Sequence, residues 1–460
     1  MEKKYFFVGI GGIGMSALAM ILKSKGYEVL GSDRQDSEKL KELQRIGIKT
    51  FVGHREENFE DDVDVVVYTN AIQDNNPEIS KAKRLGKKII SRAELLAKIE
   101  KDYNYTSIGI AGTHGKTTTT SMVSKIFLDA GFDPTIANGG NLPYIGGNAR
   151  IGNGNYFIYE ACEAFGSFLH FHPFIGVVTS VDNDHIAEYY KTMDNLINAF
   201  STFINNVDSD GKVIVNGDDP LSFTALAKSG RVGYITYGIR DGNNLVADAI
   251  KLNKLTTEFN VFFNGSFLVN MSINVPGIHN VYNSLAALGT AISMGIDPKL
   301  AAESLKGFKN AERRFEIKFE DEKLIVIDDY GHHPSEIKAT LTSAKNLGKK
   351  NVIAIFQPHL WSRTYFLYKD FALALNIADK IIVTEVYGAR EDPIDGFSSE
   401  SIVKELVNLG RKGSDIFFAR SKDEVLEIIS NMVIDDAVLV LLGAGDINKI
   451  FKRVLEVTKK

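Results

Sequence analysis

Cysteine is almost absent from this chain of 460 residues, which contains a single one, Cys162. A lone cysteine excludes an intrachain disulfide and is typical of a protein in a reducing compartment. Proline is scarce too, with 10 residues, and neither a repeat nor a low-complexity tract is visible. The composition, 44% hydrophobic and 24% charged, is that of a globular protein.

The chain has no excess of positive charge, because its formal net charge is −5. A protein that binds nucleic acid or an anionic membrane through a broad electrostatic field needs a basic surface. We therefore expect no nucleic-acid partner.

The chain also lacks a hydrophobic run long enough to cross a bilayer. Residues 5–22 carry no charge and follow two lysines, a pattern that imitates a signal peptide. Four glycines interrupt this run, so a strand, a turn and a helix explain it better. The sequence therefore predicts a cytoplasmic protein without membrane insertion.

The length and the order of apolar segments predict three α/β domains. We place them at residues 1–100, 101–309 and 310–460, with the charged stretch 98–104 as a linker. The second domain contains an alternating, antiparallel region within 245–275. In the third, short apolar strands alternate with helical segments, a pattern typical of a doubly wound sheet. We place these five strands at residues 324–327, 352–356, 380–384, 416–418 and 437–442.

Residues 106–120 contain the clearest functional signal. An apolar strand ends in a glycine turn that includes Gly112 and Gly115, and Lys116, Thr117 and a helix follow. Glycines let backbone N–H groups approach phosphate oxygens, and the helix N-terminus adds positive potential. The lysine can reach the terminal phosphates and the threonine hydroxyl can hold Mg²⁺. Glycine is missing at Ile110, where the strict motif requires it, but the arrangement still predicts an ATP site.

A second glycine loop lies near the N-terminus. Residues 9–14 fit the pattern G-x-G-x-x-G between a strand and a helix, and the next strand ends in Asp33. This arrangement is typical of dinucleotide-binding domains, for which NAD is the usual ligand. The pattern alone does not select the nucleotide.

Polar residues follow several predicted strands in the second domain. Glu160 ends one strand and His185 follows the next. Together with Thr117 they can share Mg²⁺ with ATP phosphates, although ordinary strand-end polar residues give the same pattern. Cys162 has no base marked beside it, which favours a packed thiol.

Seven short motifs, taken together in their order, resemble those of the Mur ligase family. They lie at residues 11–16, 112–118, 184–185, 277–280, 313–316, 328–334 and 356–359. The resemblance runs from Gly9 to Asp446. It implies a Rossmann-like UDP-binding domain, a central P-loop-type ATP-binding domain and a C-terminal Rossmann-like domain.

The resemblance implies that the first loop holds UDP rather than NAD. The implied UDP-sugar site comprises Gly11, Gly12, Ile13, Gly14, Met15, Ser16, Asp33, His54, Thr69, Asn70 and Ala71. Asn70 departs from the small hydroxyl residues common in the family. From the sequence alone, His54 is as readily a turn residue after Gly53.

The resemblance also implies ATP and Mg²⁺ sites. The ATP residues would be Gly112, Thr113, His114, Gly115, Lys116, Thr117, Thr118, His279, Asn280, Asn283, Arg314 and Asp329, and the magnesium ligands Thr117, Glu160 and His185. Helix capping alone can explain Asn280. Cys162 and Phe165 stand where relatives are acid-rich, so an additional carboxylate role there is not supported.

The catalytic residues implied for the third domain and the loop are Lys116, His332, His333, His359 and Arg363. A guanidinium suits the carboxylate of an amino acid, and a histidine can position or deprotonate its amine. The histidines can equally hold loops by hydrogen bonds. Glu312 and Leu360 depart from the residues usual in the family.

The activity implied is an ATP-dependent ligase that joins L-alanine to the carboxylate of UDP-N-acetylmuramate through an acyl phosphate. The protein would be a monomer or a homodimer. A related ligase for a peptide or another amino acid is one alternative. An NAD-dependent oxidoreductase would leave the Lys116 loop unused, and a non-catalytic nucleotide-binding protein would not need Lys116, Glu160, His185 and Arg363.

Overall fold

The computed structural model describes residues 3–69, 72–73, 75–183, 189–389 and 391–458. It is an α/β protein with three sheets, of five, ten and six strands. By contact density the chain divides into two compact units. The first comprises Met1–Ile250, Phe259–Ile273 and Asn280–Lys309, and the second Lys251–Glu258, Asn274–His279 and Asn310–Lys460.

The first sheet is entirely parallel, with the strand order β3-β2-β1-β4-β5. Its short strands are rich in valine, isoleucine and phenylalanine because helices cover both faces of a parallel sheet. The elements are β1 (Lys4–Val8), α1 (Ile13–Ser24), β2 (Glu28–Asp33), α2 (Glu38–Arg45), β3 (Lys49–Val52), β4 (Val65–Tyr68), α3 (Pro77–Arg84), β5 (Lys88–Ser91) and α4 (Arg92–Asp102).

The predicted linker at residues 98–104 is wrong in its first five residues, which form the end of α4. This helix begins with a capping box between Ser91 and Glu94, in which each side chain bonds the other residue's backbone N–H. Its apolar face is buried at Leu95, Leu96 and Ile99. Of the charged residues that suggested a linker, Lys98, Lys101 and Asp102 are partly or fully exposed, whereas Glu100 is buried.

The second sheet has the order β15-β14-β13-β12-β11-β10-β6-β9-β7-β8, with parallel pairing from β13 to β7. Three strands occupy most of the region 245–275. The elements are β6 (Thr106–Ala111), α5 (Lys116–Asp129), β7 (Thr135–Leu142), β8 (Gly147–Arg150), β9 (Tyr156–Glu160), β10 (Ile175–Val178), α6 (Met193–Asn206), β11 (Lys212–Asn216), α7 (Pro220–Ser229), β12 (Tyr234–Gly238), β13 (Leu245–Leu252), β14 (Thr257–Phe263), β15 (Ser266–Ile273), α8 (Ile278–Ser293) and α9 (Pro298–Lys306).

The third sheet has the order β16-β17-β21-β18-β19-β20 and is parallel except for β16. All five strands predicted for this region are present, and β16 is an additional antiparallel edge strand. The elements are β16 (Glu316–Glu320), β17 (Leu324–Asp329), α10 (Pro334–Lys345), β18 (Asn351–Phe356), α11 (Trp361–Leu375), β19 (Lys380–Thr384), α12 (Glu400–Asn408), β20 (Ile416–Ala419), α13 (Lys422–Ser430), β21 (Ala437–Leu442) and α14 (Phe451–Thr458).

Each sheet carries apolar clusters on its faces. One cluster joins the first and second sheets within the first unit and includes Phe7, Leu18, Phe157 and Phe200. Two clusters cover the two faces of the third sheet. None of the helices among the described residues has the length and apolar composition needed to span a membrane.

Candidate functional site

The first glycine loop leads directly into an uncapped helix. α1 begins after Gly12, which has no side chain to cap it, and the first turn contains no acidic residue. Gly9, at φ +84°, adopts a backbone conformation that other residues rarely reach. The N–H groups at the start of α1 are therefore available to an anion, as in nucleotide-binding folds.

Two charged side chains flank this loop. The N–H of Gly11 donates to Asp33 Oδ2 at 2.9 Å, so this predicted ligand also braces the loop. Arg92, which the sequence analysis missed, lies within 3.1 Å of the position that a Cβ of Gly14 would occupy. Its guanidinium is a suitable partner for a diphosphate.

The other residues predicted for the UDP-sugar site lie around the carboxyl edge of the first sheet. Ile13 is exposed, Met15 and Ser16 are buried in α1, and Ser16 donates to the Ile13 carbonyl at 3.0 Å. Thr69 follows β4 beside Gly9. Asn70 and Ala71 lie outside the described residues.

His54 follows β3, and its ring is anchored at one end. Nδ1 lies 2.8 Å from Ser32 Oγ and 3.1 Å from Glu78 Oε2. The side chain is 17% exposed, whereas Glu78 is fully buried. The structure thus gives this predicted ligand a partner, Glu78, that no motif in the sequence marked.

The second glycine loop is bound to the end of β10. Gly112 has a φ of +134°, and a Cβ there would lie 2.0 Å from Thr179 Oγ1. Thr113 N–H donates to the Ser180 carbonyl at 2.8 Å, and His114 N–H donates to Ser180 Oγ at 3.0 Å. The loop has no room for larger residues, and its path is fixed by the neighbouring strand.

Lys116, the first residue of α5, folds back over this loop. Its Nζ donates to the carbonyls of Gly112 and Thr113 and lies 2.9 Å from Glu163 Oε2. Burial alone would lower the pKa of the Lys116 ammonium, but the Glu163 carboxylate, with the neighbouring Cys162 and Glu160, raises it above its ordinary value. The lysine is therefore charged and ready to pair with phosphate.

Glu163, the partner of Lys116, was not among the predicted site residues. Its side chain is 2% exposed, and the Tyr190 hydroxyl donates to its backbone carbonyl. The available signal was its spacing of three residues after Glu160 in an acid-containing segment. Burial raises the pKa of the Cys162 thiol, in agreement with a packed and unreactive cysteine.

Thr117 lies in α5, which follows β6, and Glu160 is the last residue of the adjacent strand β9. Thr117 is buried in the first turn of α5, as is Thr118. One carboxylate oxygen of Glu160 accepts from Gly139 N–H at 2.6 Å. Hydroxyl and carboxylate oxygens at a phosphate loop are the hard donors that Mg²⁺ prefers, so these residues fit the ion. His185 lies outside the described residues.

Asn283 of α8 supports the ATP loop from behind. Thr119 Oγ1 donates to Asn283 Oδ1 at 3.2 Å, and Asn283 Nδ2 donates to Asn280 Oδ1 at 3.1 Å. A Cβ on Gly115 would lie 2.5 Å from Asn283 Oδ1. The amide of Asn283 therefore holds α5 and its preceding turn in place.

His279 is another residue that was predicted to bind ATP. Loss of contact with water lowers the pKa of the His279 ring to about 4, so this histidine is neutral at pH 7.

In the second unit, polar groups gather at the carboxyl ends of β17, β18 and β21. Asp329 accepts from Phe315 N–H and Gly331 N–H, each at 2.7 Å. Burial raises the pKa of the Asp329 carboxyl to about 6. Gln357 accepts from the N–H groups of Asp446 and Ile447 at 2.8 and 3.0 Å. These side chains connect neighbouring loops at one edge of the sheet.

The predicted histidines of the second unit divide into two groups. The rings of His332 and His359 lie 6.1 Å apart, and His359 stacks on Tyr387 at 5.9 Å. His332 Nδ1 lies 3.1 Å from the Tyr330 carbonyl. His333 is buried at the N-cap of α10, with Nδ1 2.8 Å from Ser335 Oγ.

The two predicted arginines lie near the same edge. The Arg314 guanidinium covers the Tyr330 ring at 5.3 Å and lies 3.7 Å from Glu336 Oε1. Arg363 is half-buried in the first turn of α11. Arg313, the neighbour of Arg314 in the sequence, donates to the Gly443 carbonyl at 2.6 Å and fixes the loop after β21.

Comparison with known protein families gives three matches along the chain. The model of the Mur ligase family catalytic domain matches residues 4–104, that of the Mur ligase middle domain matches 110–291, and that of the Mur ligase glutamate ligase domain matches 313–445. The UDP-N-acetylmuramate–L-alanine ligase of Caldanaerobacter subterraneus subsp. tengcongensis is 42% identical over 459 residues, covering 100% of this chain and 98% of the relative.

The chain belongs to the Mur ligase family. The corresponding ligase of Aquifex aeolicus is also 42% identical, over 97% of this chain and 96% of its own. The crystal structure of UDP-N-acetylmuramate–alanine ligase from Thermotoga maritima has a TM-score of 0.85 and 32% identity, with 99% of each chain covered. The predicted three-domain α/β fold of a Mur ligase is therefore confirmed.

Proposed function

We propose that this Mur ligase joins L-alanine to the carboxylate of UDP-N-acetylmuramate while ATP is converted to ADP and phosphate. The observation that carries the proposal is the presence of two phosphate-type loops, each opening into an uncapped helix without an acidic first turn. One loop serves the UDP-sugar and the other serves ATP. The names of the relatives identify the substrates by analogy.

The first loop binds the diphosphate of the UDP-sugar. Backbone N–H groups at the start of α1 face it, and Arg92 supplies a positive charge. Because Asp33 already holds Gly11, the loop is formed before the substrate arrives. Such preorganisation reduces the entropy lost on binding.

The second loop binds the triphosphate of ATP. Lys116 exchanges its contact with Glu163 for the terminal phosphates, where its charge stabilises the transferring phosphoryl group. Thr117 and Glu160, with the predicted His185, hold Mg²⁺, which when bound neutralises charge on the phosphate oxygens. Asn283 holds α5, the helix that carries both Lys116 and Thr117.

The carboxylate of the muramate attacks the γ-phosphorus, so that an acyl phosphate forms and ADP leaves. The neutral amine of alanine then attacks the acyl carbon, and phosphate leaves. We assign the amino-acid site to the third domain, with Arg363 binding the alanine carboxylate and His332 or His359 receiving the amine proton. The domain limits of 1–100, 101–309 and 310–460 belong to this proposal. The enzyme works in the cytoplasm as a monomer or homodimer.

An assay of ADP release tests this function. The full chain is incubated with ATP, Mg²⁺ and UDP-N-acetylmuramate and with one amino acid at a time. Release is expected with L-alanine well above that with glycine, L-serine or D-glutamate. Release that requires D-glutamate, or a peptide in place of an amino acid, would assign the chain to a different reaction of the family.

A further inference from the structure

Glu78 is a buried carboxylate that lies outside both loops. It is the second residue of α3 and has no exposed surface. Four groups surround it. Ser32 Oγ donates to Oε2 at 2.6 Å, Asn58 Nδ2 and Arg55 N–H donate to Oε1 at 2.8 and 3.3 Å, and His54 Nδ1 lies 3.1 Å from Oε2.

These contacts define which nitrogen of His54 carries the proton. An ionised carboxylate can only accept hydrogen bonds. The Ser32 hydroxyl donates its single proton to Glu78, so it presents a lone pair to His54 Nδ1, 2.8 Å away. Both neighbours of Nδ1 are therefore acceptors, and Nδ1 must be the donor. In the neutral ring, Nε2 then carries a lone pair.

The position of His54 relates this lone pair to the nucleotide. His54 follows β3, which pairs with β2 so that Val52 lies opposite Asp33. Asp33 contacts the glycine loop, where the diphosphate binds. In folds of this type the nucleoside extends from the loop across the end of β2, towards the next strand. His54, whose side chain is partly exposed, thus lies on the side where the base is expected.

We propose that Glu78 is a positioning residue that holds His54 in its Nδ1–H form, so that Nε2 accepts a hydrogen bond from N3–H of uracil. This inference rests on the proposed binding of a UDP-sugar. Cytosine has an unprotonated N3 and would place two lone pairs against each other. The Glu78–His54 pair therefore selects uridine over cytidine nucleotides.

A measurement on the wild-type protein tests the tautomer without a variant that disturbs folding. The nine histidines are labelled with ¹⁵N, and His54 is identified by the signal that disappears in His54→Gln. The two ring nitrogens have different shifts according to which is protonated. A protonated Nδ1 and an unprotonated Nε2 at neutral pH are expected. The reverse assignment would overturn the inference.

The Glu78→Gln variant tests whether Glu78 sets the preference for uridine over cytidine nucleotides. The backbone N–H of Arg55 keeps the amide oxygen on its own side, so the new NH₂ group faces Ser32. The hydroxyl then accepts from this NH₂ and donates to Nδ1, which leaves the proton of His54 on Nε2. UDP affinity should fall roughly ten- to a hundredfold because two donors now meet, while CDP affinity rises.

Glu100→Gln is the matched control. Glu100 is also a buried carboxylate of the first unit, and it accepts from the Ser107 and Tyr159 hydroxyls away from His54. This variant should leave the His54 signals and the ratio of UDP to CDP affinities unchanged. A Glu78→Gln variant with the wild-type tautomer or the wild-type ratio would overturn the inference.

Titrations of the full chain, with an ATP analogue present to occupy the second loop, separate this inference from the proposed function. Binding of UDP-N-acetylmuramate to the wild type is expected in every case if the function is right. Absence of that binding contradicts the function. Binding with an unchanged preference in Glu78→Gln contradicts only the role of Glu78.

Discussion

At the scale of single residues, two buried carboxylates each hold a residue that was predicted to bind substrate. Glu163 pairs with Lys116 in the ATP loop, and Glu78 pairs with His54 in the first domain. A carboxylate is costly to bury unless each of its oxygens receives hydrogen bonds. Their placement therefore indicates that they fix the charge or orientation of Lys116 and His54.

Glu163→Gln should destabilise the nucleotide-free protein and strengthen ATP binding. The substitution leaves the Lys116 ammonium buried without its counter-charge, which costs about 3 kcal/mol or more. The triphosphate of ATP supplies a new counter-charge for Lys116, and it no longer competes with the Glu163 carboxylate for this ammonium. Thermal unfolding should show a lower midpoint without ATP and a larger upward shift with ATP than in the wild type.

The double variant Lys116→Met with Glu163→Gln is the control for this effect. Because Lys116 is replaced by methionine in this variant, loss of the Glu163 carboxylate leaves no buried charge without a partner. The enlarged ATP shift should therefore disappear in the double variant. An ATP shift in Glu163→Gln that equals the wild-type shift would show that the pair does not compete with nucleotide.

Asp329→Asn should change how stability depends on pH. Burial raises the pKa of Asp329 to about 6, above the ordinary value of 3.8 for an aspartate. The folded state therefore binds this proton more tightly than the unfolded chain. Its contribution to stability is full below about pH 4 and is lost as the pH rises through about 6, by about 3 kcal/mol in total.

The thermal midpoint of the wild type minus that of Asp329→Asn should therefore fall between about pH 4 and pH 6 and stay level above pH 7. Both proteins are measured in the same buffers, so that titration of all other groups cancels. A difference that does not vary with pH would show that Asp329 is ionised with an ordinary affinity for protons.

At the scale of elements, the parallel strands could be predicted because a strand covered on both faces is a continuous apolar run. The strands Lys380–Thr384 and Ala437–Leu442 agree with the prediction at both ends. β7 was not predicted because its sequence, which includes Asn138, Gly139 and Gly140, has no such run. The end of α4 was misread because charged residues flank the buried Ile99, and one of them, Glu100, is itself buried.

The site was predictable only where a backbone conformation requires a particular residue. Gly112 and Gly115 have positive φ values of +134° and +85°, so the sequence pattern reports the loop directly. The roles of Glu78 and Glu163 depend on burial and on contacts between distant segments. Neither is visible in local patterns, because glutamate is usually an exposed residue.

Gly115→Ala should impair the ATP loop more than an equally strained substitution elsewhere. Gly131 has a φ of +79° with nothing within 4 Å, so Gly131→Ala introduces backbone strain alone, about 1–2 kcal/mol. At Gly115 the new methyl also meets Asn283 Oδ1 at 2.5 Å. Calorimetry should show weakened ATP binding in Gly115→Ala and unchanged ATP binding in Gly131→Ala.

Adding Asn283→Ala to Gly115→Ala removes the atom that the methyl group meets. If steric contact is the cause, Gly115→Ala should lower ATP affinity less in the Asn283→Ala background than it does in the wild type. Equal ATP affinity in the two single glycine variants would contradict the role assigned to the contact between Gly115 and Asn283.

At the scale of the whole molecule, the two glycine loops lie on two different sheets of one compact unit. They are not isolated from each other structurally. Asn148 of β8 donates to the carbonyl of Ile13 at 2.6 Å and accepts from Lys39 at 3.0 Å, which ties the start of α1 to the second sheet. Each loop nevertheless leads into its own helix without an acidic first turn, so we expect each loop to bind its ligand separately.

Lys116→Met should therefore abolish most turnover without affecting the UDP-sugar. Loss of a charged contact to the transferring phosphoryl group should lower kcat by about 10²–10³ or more. The affinity for UDP-N-acetylmuramate, measured by calorimetry, should remain within about twofold of the wild type because Lys116 lies in the second loop. A twofold change corresponds to only about 0.4 kcal/mol of binding free energy. A variant that no longer binds the UDP-sugar would contradict the assignment of two separate sites.

The fate of the carboxylate oxygen tests the central claim most directly. UDP-N-acetylmuramate labelled with ¹⁸O in its carboxylate is turned over with ATP and L-alanine, and the products are analysed by mass spectrometry. Attack on the γ-phosphorus predicts ADP as the nucleotide product and one labelled oxygen in inorganic phosphate. Labelled AMP, or pyrophosphate among the products, would contradict the acyl phosphate mechanism.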